Sequence, residues 1–348
     1  MRLSLTTWNI NSVRLRIDLV AKFLKSVRPD VLCLQETKCI DDAFPLKRLR
    51  RLGYEHVALN GQKGYHGVAI ISKLPFETTD IRTFCDKIDS RHISVAFGEK
   101  AQLSKPLVLH NFYVPAGGDI PDPALNPKFE HKLQFLDEMK ACEPLHPRGE
   151  DRHVLVGDLN VAPHENDVWS HKQLLKVVSH TPIECEKLLA AQAHGEWIDV
   201  ARERIPLSEK VYTWWSYRAA DWTLADRGRR LDHIWVSRAL KACVSDFWIT
   251  RDARGWERPS DHVPVTVTLE VLDPYSVIPG RVEDANPESR ADNLRIPDLR
   301  LAAHPGMTSG QILNFEPAIK ISLAIWLVRL ANSSRSRRAA AGSLSSTR

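Results

Sequence analysis

The sequence predicts a mixed α/β domain, with helices outside packed sheets, followed by an extension of different texture. Three observations predict it. Short apolar runs rich in β-branched and aromatic residues recur through about the first 270 positions. Amphipathic stretches of helical period lie between some of them. Near residue 272 both patterns stop and a Pro-, Gly-, Ser- and Arg-rich stretch begins.

The apolar runs are LSLTTWNIN (3–11), VLCLQETK (31–38), GVAIISK (67–73), HISVAF (92–97), PLVLHNFYVP (106–115), HVLVGDLN (153–160), RRLDHIWVS (229–237) and VPVTVTLEV (263–271), each of strand length. Leu15 to Val27 places Leu15, Leu19, Val20, Phe23, Leu24 and Val27 on one helical face. Phe129 to Met139 repeats Phe129, Leu133, Leu136 and Met139, and 172–178 and 183–193 are weaker helical patterns. The unit 3–36 reads as strand–helix–strand, whereas the closer spacing of later strands suggests antiparallel meanders. The domain is therefore expected over 1–272. Residues 273–348 are expected to form a disordered extension, within which 318–331 has the pattern of one amphipathic helix.

Composition excludes several classes. With 348 residues, 43% hydrophobic and 26% charged, the chain is too apolar for a disordered protein. The net charge of +5, from 48 basic and 43 acidic residues, excludes a polybasic binder but permits a basic face opposite an acidic pocket. Six scattered cysteines show neither CxxC pairs nor zinc spacing, and Cys33 between Leu32 and Leu34 reads as a small buried hydrophobe. No run reaches the length of a transmembrane helix, and the polar residues of MRLSLTTWNIN do not suit a signal peptide. The cytoplasm is the expected compartment.

The polar residues at the ends of the apolar runs carry the functional signal. Asn9, Glu36, Tyr113, Asp158, Asn160, Asp232, Asp261 and His262 each end or interrupt an apolar segment. Burying a carboxylate or amide there costs several kcal/mol unless it is paired or holds a metal. Repeated on six segments, this suggests groups delivered to one pocket. In GDLN, Asp158 and Asn160 lie two apart and would share a strand face, although simple turn capping explains the pair equally well. In SDHVP, Asp261 and His262 are expected in the loop before the last strand, where both can turn inward. Asp232 needs a buried partner, and the His262 imidazole is the natural one. Oxygen donors without a thiolate suit Mg²⁺, with Mn²⁺ as the alternative. The segment 210–235 interleaves aromatics with Arg218, Arg227, Arg229 and Arg230, a composition suited to phosphates and a distorted duplex.

WNIN (8–11), LQETK (34–38), GQKGYHGVAI (61–70), NFYVP (111–115), GDLN (157–160), TWWSYR (213–218), RRLD (229–232) and SDHVP (260–264), in that order, resemble the exonuclease III family of abasic-site endonucleases. That family lies within the endonuclease/exonuclease/phosphatase superfamily, and the resemblance covers about residues 1–272. GDLN and SDH are shared with DNase I-like enzymes and inositol-phosphate phosphatases. LQETK and the WxxYR…RxD arrangement narrow the resemblance to the DNA-repair branch.

The resemblance implies a four-layer α/β sandwich of two packed mixed sheets. It implies metal-dependent hydrolysis of duplex DNA 5′ to abasic sites, with 3′→5′ exonuclease and 3′-phosphatase activity, by a monomer without a membrane partner. Glu36 is then the principal metal ligand, helped by Asn9 and Asp261, with Asp158, Asn160 and His262 also in the metal set. Asp158 positions water, Asn160 and Tyr113 bind phosphate, and Asp232 orients His262, which stabilises charge or acts as base. Lys63 and Arg91 resemble DNA-backbone contacts, and Trp214 and Leu231 match the walls of an abasic pocket. Arg229, also on the DNA-facing side, departs from the apolar residue many relatives carry. A superfamily phosphatase acting on a small or lipid phosphate ester, or a non-catalytic DNA-binding relative, is the alternative.

Overall fold

A computed structural model describes residues 2–271. The strands β1 (Arg2–Asn9), β2 (Val31–Gln35), β3 (His56–Asn60) and β4 (Val68–Ser72) begin one sheet. The strands β5 (Thr78–Asp80), β6 (His92–Phe97), β7 (Leu107–Tyr113), β8 (Arg152–Asp158) and β9 (Ile198–Asp199) begin a second. A two-stranded ribbon of β10 (Trp214–Trp215) and β11 (Gly228–Arg229) follows. Then β12 (Asp232–Val236) completes the second sheet, and β13 (Val244–Ile249) and β14 (Val265–Glu270) complete the first. The first sheet runs β13-β14-β1-β2-β4-β3 and the second β5-β6-β7-β8-β12-β9.

Period-2 alternation explains the layers. Leu3, Leu5, Val31, Cys33, Val154, Val156, Ile234, Val236, Val265 and Val267 share one apolar cluster between the two sheets. Their neighbours point the other way. Trp8, Leu32 and Leu34 pack on Phe23 and Leu24 of α1 (Ile17–Ser26) and on Leu49 of α2 (Leu46–Arg50). Phe112, Leu155 and Trp235 pack on Phe135 of α3 (Pro127–Ala141) and, past the short α4 (His171–Leu174), on Leu188 of α5 (Pro182–His194). The result is the expected α/β sandwich, helix–sheet–sheet–helix. Two small helices, α6 (Val200–Arg204) and α7 (Trp222–Ala225), flank the second sheet and the ribbon in sequence.

Between the sheets, Gln35 Nε2 donates to Asn111 Oδ1 at 2.7 Å, and Asn111 Nδ2 donates back to the carbonyls of Leu34 and Ala69. A polar bridge of this kind fixes how one sheet sits on the other, even though Gln35 Oε1 is buried without a partner.

Several expectations need correction. β7 and β8 are parallel, joined through α3, where meanders were expected. The run 229–237 is two elements, because Arg230 and Leu231 leave the ribbon before β12 begins. The helix expected over 172–178 stops at Leu174, while 183–193 is helical from Pro182 behind a capping box of Thr181 and Glu184. β3 and β13 escaped notice because both are edge strands with half-exposed residues. The extension at 273–348 and its helical pattern lie outside the described residues. Among the described residues no helix is long and apolar enough to cross a membrane.

Candidate active site

Parallel strands carry their C-terminal ends to the same edge of the sandwich. Asn9 closes β1, Glu36 follows β2, and Tyr113 and Asp158 close β7 and β8. Register does the rest. Tyr113 pairs with Asp158 across β7 and β8, and Asp232 pairs with Asp158 across β12 and β8, so three adjacent strands present these side chains in one row. Gly157 permits the close approach: a Cβ there would lie 2.0 Å from the Phe112 carbonyl oxygen.

Hydrogen bonds tie the row to the first sheet. Asn9 Nδ2 donates to Glu36 Oε1 at 2.9 Å and to Asp158 Oδ2 at 2.8 Å. Tyr113 donates its hydroxyl to Glu36 Oε1 at 3.0 Å. His262 Nδ1 lies 2.8 Å from Asp232 Oδ2, which also accepts from Thr213 Oγ1 at 2.6 Å. The other ring nitrogen, Nε2, faces Asp158 Oδ2 at 3.7 Å. Ser260 Oγ donates to the Asn9 carbonyl and Trp8 Nε1 to the His262 carbonyl, so β1 itself locates the SDH turn. Asp261 accepts from Trp214 Nε1 at 2.9 Å and from Asn11 Nδ2 at 3.1 Å.

Burial sets the charge states. Burial opposes the Glu36 carboxylate, yet the Lys38 ammonium and the Asn9 amide outweigh it and hold the carboxyl below its usual range. Burial likewise opposes charge on Asp261, and His262, Trp214 and Asn11 together hold it low. Asp158 behaves differently: burial pushes its carboxyl up to about 7, against the pull of His262. Burial disfavours the His262 imidazolium, but Asp232 and then Asp158 lift the ring to about 10. Asp232 and Asp158 thus favour the protonated form of the imidazole. Burial, then the charges of Glu36 and Asp158, raise the Tyr113 phenol and keep it a donor.

A cleft of about 1050 Å³ opens beside this rim. Glu36, Asn160, Asp261 and His262 form the acidic part of its lining, its acidic wall, and Trp214, Arg218, Trp222, Arg227, Arg229 and Leu231 the aromatic–arginine part, its second wall. The second wall is braced by stacking. The Arg229 guanidinium lies 5.2 Å from the Trp214 ring, Arg251 lies over Trp215 and Trp222, and Arg254 lies over Tyr217 and Trp222.

Comparison with known proteins now decides the family. The sequence pattern of the endonuclease/exonuclease/phosphatase family matches residues 6–262. The chain belongs to that family. Exodeoxyribonuclease III of Haemophilus influenzae is 29% identical over 271 residues, covering 74% of this chain and 97% of that protein. An AP endonuclease from Archaeoglobus fulgidus superposes with a TM-score of 0.69 at 30% identity, covering 77% of this chain and 99% of that one. The 3′ phosphatase NExo from Neisseria, solved with a product DNA hairpin, gives the same TM-score, identity and coverage. The resemblance read from the motifs and the sandwich it implied are both met.

Within this family member, the structure brings Asn9, Glu36, Tyr113, Asp158, Asn160, Asp232, Asp261 and His262 to one rim. Asn160 arrives by another route than expected. β8 ends at Asp158, and Asn160 takes a left-handed turn (φ +53°) that returns its Nδ2 to Asp158 Oδ2 at 3.2 Å and its backbone N–H to Oδ1. Strand alternation therefore does not explain the GDLN pair. Arg91 is not a surface group: only 8% exposed, it engages Asp89 and His66 and stacks on Tyr113 at 5.0 Å. Its guanidinium is thus held over the phenol ring. Lys63 is exposed in the loop between β3 and β4 and does not line the cleft. Arg230, read with the basic segment, is wholly buried and paired with Asp167 and Asp199.

Lys38 and Asn11 were missed. Lys38 Nζ sits 2.8 Å from Glu36 Oε2 and 2.6 Å from Asn11 Oδ1. Both residues, with Glu36 and Asn160, hold left-handed backbone (φ +47° to +53°), a conformation that clusters at functional sites in non-glycine residues. The sequence signal was their place inside WNIN and LQETK, two residues from Asn9 and Glu36. Thr213 and Ser260 were also missed, as neighbours of more conspicuous residues.

The donor set fits a hard divalent cation. Asp158, Asp232 and His262 each offer an atom within 4.8 Å of the others, and no cysteine belongs to this group among the described residues. The Lys38 ammonium held by Glu36 and Asn11 shows that this oxygen-lined rim accepts positive charge.

Proposed function

We propose that this chain is a magnesium-dependent DNA-repair phosphodiesterase acting on duplex DNA. It cuts 5′ to abasic sites, removes nucleotides 3′→5′ and removes 3′-phosphates. The observation that supports this best is the row Tyr113–Asp158–Asp232, closed by Glu36 and His262, which line a cleft together with tryptophans and arginines. A carboxylate and an imidazolium 3.7 Å apart suit in-line water attack on a phosphate ester. The aromatic–arginine wall suits nucleic acid far better than a small phosphate ester.

In this reading Glu36, helped by Asn9, Asp158, Asn160 and Asp261, would hold Mg²⁺, or Mn²⁺ in its place, and the bound ion would neutralise charge on the scissile phosphate; His262, also expected in the metal set, has no lone pair to give while protonated. Asp158 orients the attacking water and takes its proton. His262, held by Asp232, faces the charge that builds on the phosphoryl oxygens. Asn160 and the Tyr113 hydroxyl bind phosphate oxygens, while Trp214 and Leu231 receive the distorted strand. The same reading takes residues 1–272 as the catalytic domain and the protein as a monomeric cytoplasmic enzyme, in keeping with six free cysteines.

The test is incision of a duplex carrying one abasic site, and release of phosphate from a 3′-phosphorylated duplex. Each is run with Mg²⁺, with EDTA, and beside inositol phosphates as a competing substrate class. Mg²⁺-dependent cleavage of DNA alone is expected. Turnover of inositol phosphates without DNA cleavage would move the protein to another branch of the family.

A further inference from the structure

Arg229 and Arg230 are adjacent in sequence and opposite in circumstance. Arg230 is fully buried, and its guanidinium is paired with Asp167 by two hydrogen bonds of 2.8 Å and with Asp199 by one of 2.7 Å. Arg229 has no carboxylate partner among the described residues. Its NH1 donates to the Val178 carbonyl at 3.1 Å and to Ser179 Oγ at 2.8 Å. Its Nε is buried without an acceptor, and NH2 has none among the described residues. Of the five donors of this planar fork, the two on NH2 are therefore unspent in the cleft wall, with a buried and unpaired Nε–H beside them.

The fork is also held still. It lies over the Trp214 ring, with its own Cα directly across the ribbon from that residue. The same indole donates to Asp261 Oδ2, and Trp214 bridges His262 through the backbone. Arg229 is thus placed one indole ring from the phosphate-handling rim, with its cation fixed by two neutral oxygens and a π face. Leaving such a cation unpaired in a half-buried wall costs free energy. An anion in the cleft would recover it, and guanidinium forks bind phosphate bidentately.

We propose that Arg229 is a specificity-determining residue that binds a phosphate neighbouring the scissile one on the same strand. This rests on the reading of the protein as a DNA phosphodiesterase and sharpens it: the enzyme then measures two successive backbone charges, not one. A substrate lacking the second charge is turned over less well. Because the bound phosphate does not react, its contribution falls chiefly on KM.

The experiment replaces each phosphate flanking the incision site, in turn, by a neutral methylphosphonate, and compares wild type with Arg229→Gln, Arg229→Lys and Arg229→Leu on duplex with one abasic site. For wild type, one of the two neutral linkages should raise KM by about 10- to 100-fold, the range of a charge-assisted hydrogen bond. Arg229→Leu should show the same loss on the natural duplex and no further loss on that neutral linkage. Arg229→Lys should keep part of the sensitivity, and Arg229→Gln, which retains donors toward Ser179, guards against mere loss of the wall's structure. Wild-type enzyme indifferent to both neutral linkages, or Arg229→Leu enzyme as sensitive to them as wild type, overturns the inference. A wild-type protein that cleaves no DNA sinks the underlying reading instead, which separates the two failures.

Discussion

The two walls of the cleft are built by different means. On the acidic wall, Asn9, Tyr113, Asp158 and Asp232 stand at the ends of strands, where their neighbours across the sheet fix their place, and Glu36, Asn160, Asp261 and His262 lie in the turns beside them. Asp158 is flanked in register by Tyr113 and Asp232, and Asn9 donates to it from the other sheet. On the aromatic–arginine wall the backbone contributes a ribbon of only two residues per strand, β10 and β11. Position there comes from stacking of Arg229, Arg251 and Arg254 on indole and phenol rings and from one anchor beneath, the pair Arg230–Asp167, with Arg202 also on Asp167. Chemistry needs atoms held to a fraction of an ångström, and rigid strands supply that. Recognition of a distorted polymer tolerates side chains on a loop that can adjust.

That contrast can be broken experimentally, and the largest effect should come from the acidic wall. His262→Ala should lower kcat by about 10²- to 10⁴-fold and leave KM for abasic duplex within a few-fold, read by steady-state incision. A matching rise in KM would place His262 in ground-state binding instead. Next comes the anchor of the other wall. Asp167→Asn leaves the buried Arg230 guanidinium underpaired and should destabilise the fold by about 3–5 kcal/mol, read by urea unfolding.

The same anchor gives a signed dependence on acid. Burial opposes the Asp167 carboxylate, but Arg230 and Arg202 outweigh it and hold its pKa well below the ordinary range. The unfolded chain, with a carboxyl near ~3.9, therefore takes up protons first as pH falls. Asp167's contribution is fully present above the unfolded value and is lost as pH drops through the folded one. Wild type should lose urea resistance between pH 5 and about pH 3 more steeply than Asp167→Asn; parallel curves would contradict the role given to the anchor. Trp214→Ala should act more gently, raising KM by about 10-fold as one stacking contact is lost, with a smaller change in kcat. The smallest effect is expected from removing residues 273–348: every group assigned to the chemistry lies between Asn9 and His262, so kcat and KM should stay within two-fold.

Much of the acidic wall was legible because burying polar groups at strand ends leaves a mark on the sequence. Asp232, set among Leu231, Ile234 and Trp235, announced a partner, and His262 lies against it. The mixed α/β class was legible in the short apolar runs that form β1, β8 and β12, and the two-sheet sandwich in the family resemblance. What stayed hidden depends on backbone shape rather than residue type. Nothing in GDLN distinguishes strand alternation from the left-handed turn that brings Asn160 back to Asp158. Nor does the sequence say which arginine of RR is spent. Arg229 and Arg230 read alike until β11 ends between them and one falls onto Asp167 while the other faces the cleft. Arg91 is a further case, since a basic residue before a strand reads as surface until Tyr113 and His66 are seen around it.

The central claim, that side chains distant in sequence form one hydrolytic rim around Asp158, is tested most directly by Asp158→Asn. The substitution keeps the side chain's size and leaves an oxygen to accept from Asn9, but removes the charge and the proton acceptor. Single-turnover incision of abasic duplex in Mg²⁺, paired with equilibrium binding of the same duplex in EDTA, should show cleavage reduced by about 10³-fold or more and affinity unchanged or slightly increased. Cleavage by Asp158→Asn at the wild-type rate would contradict the account.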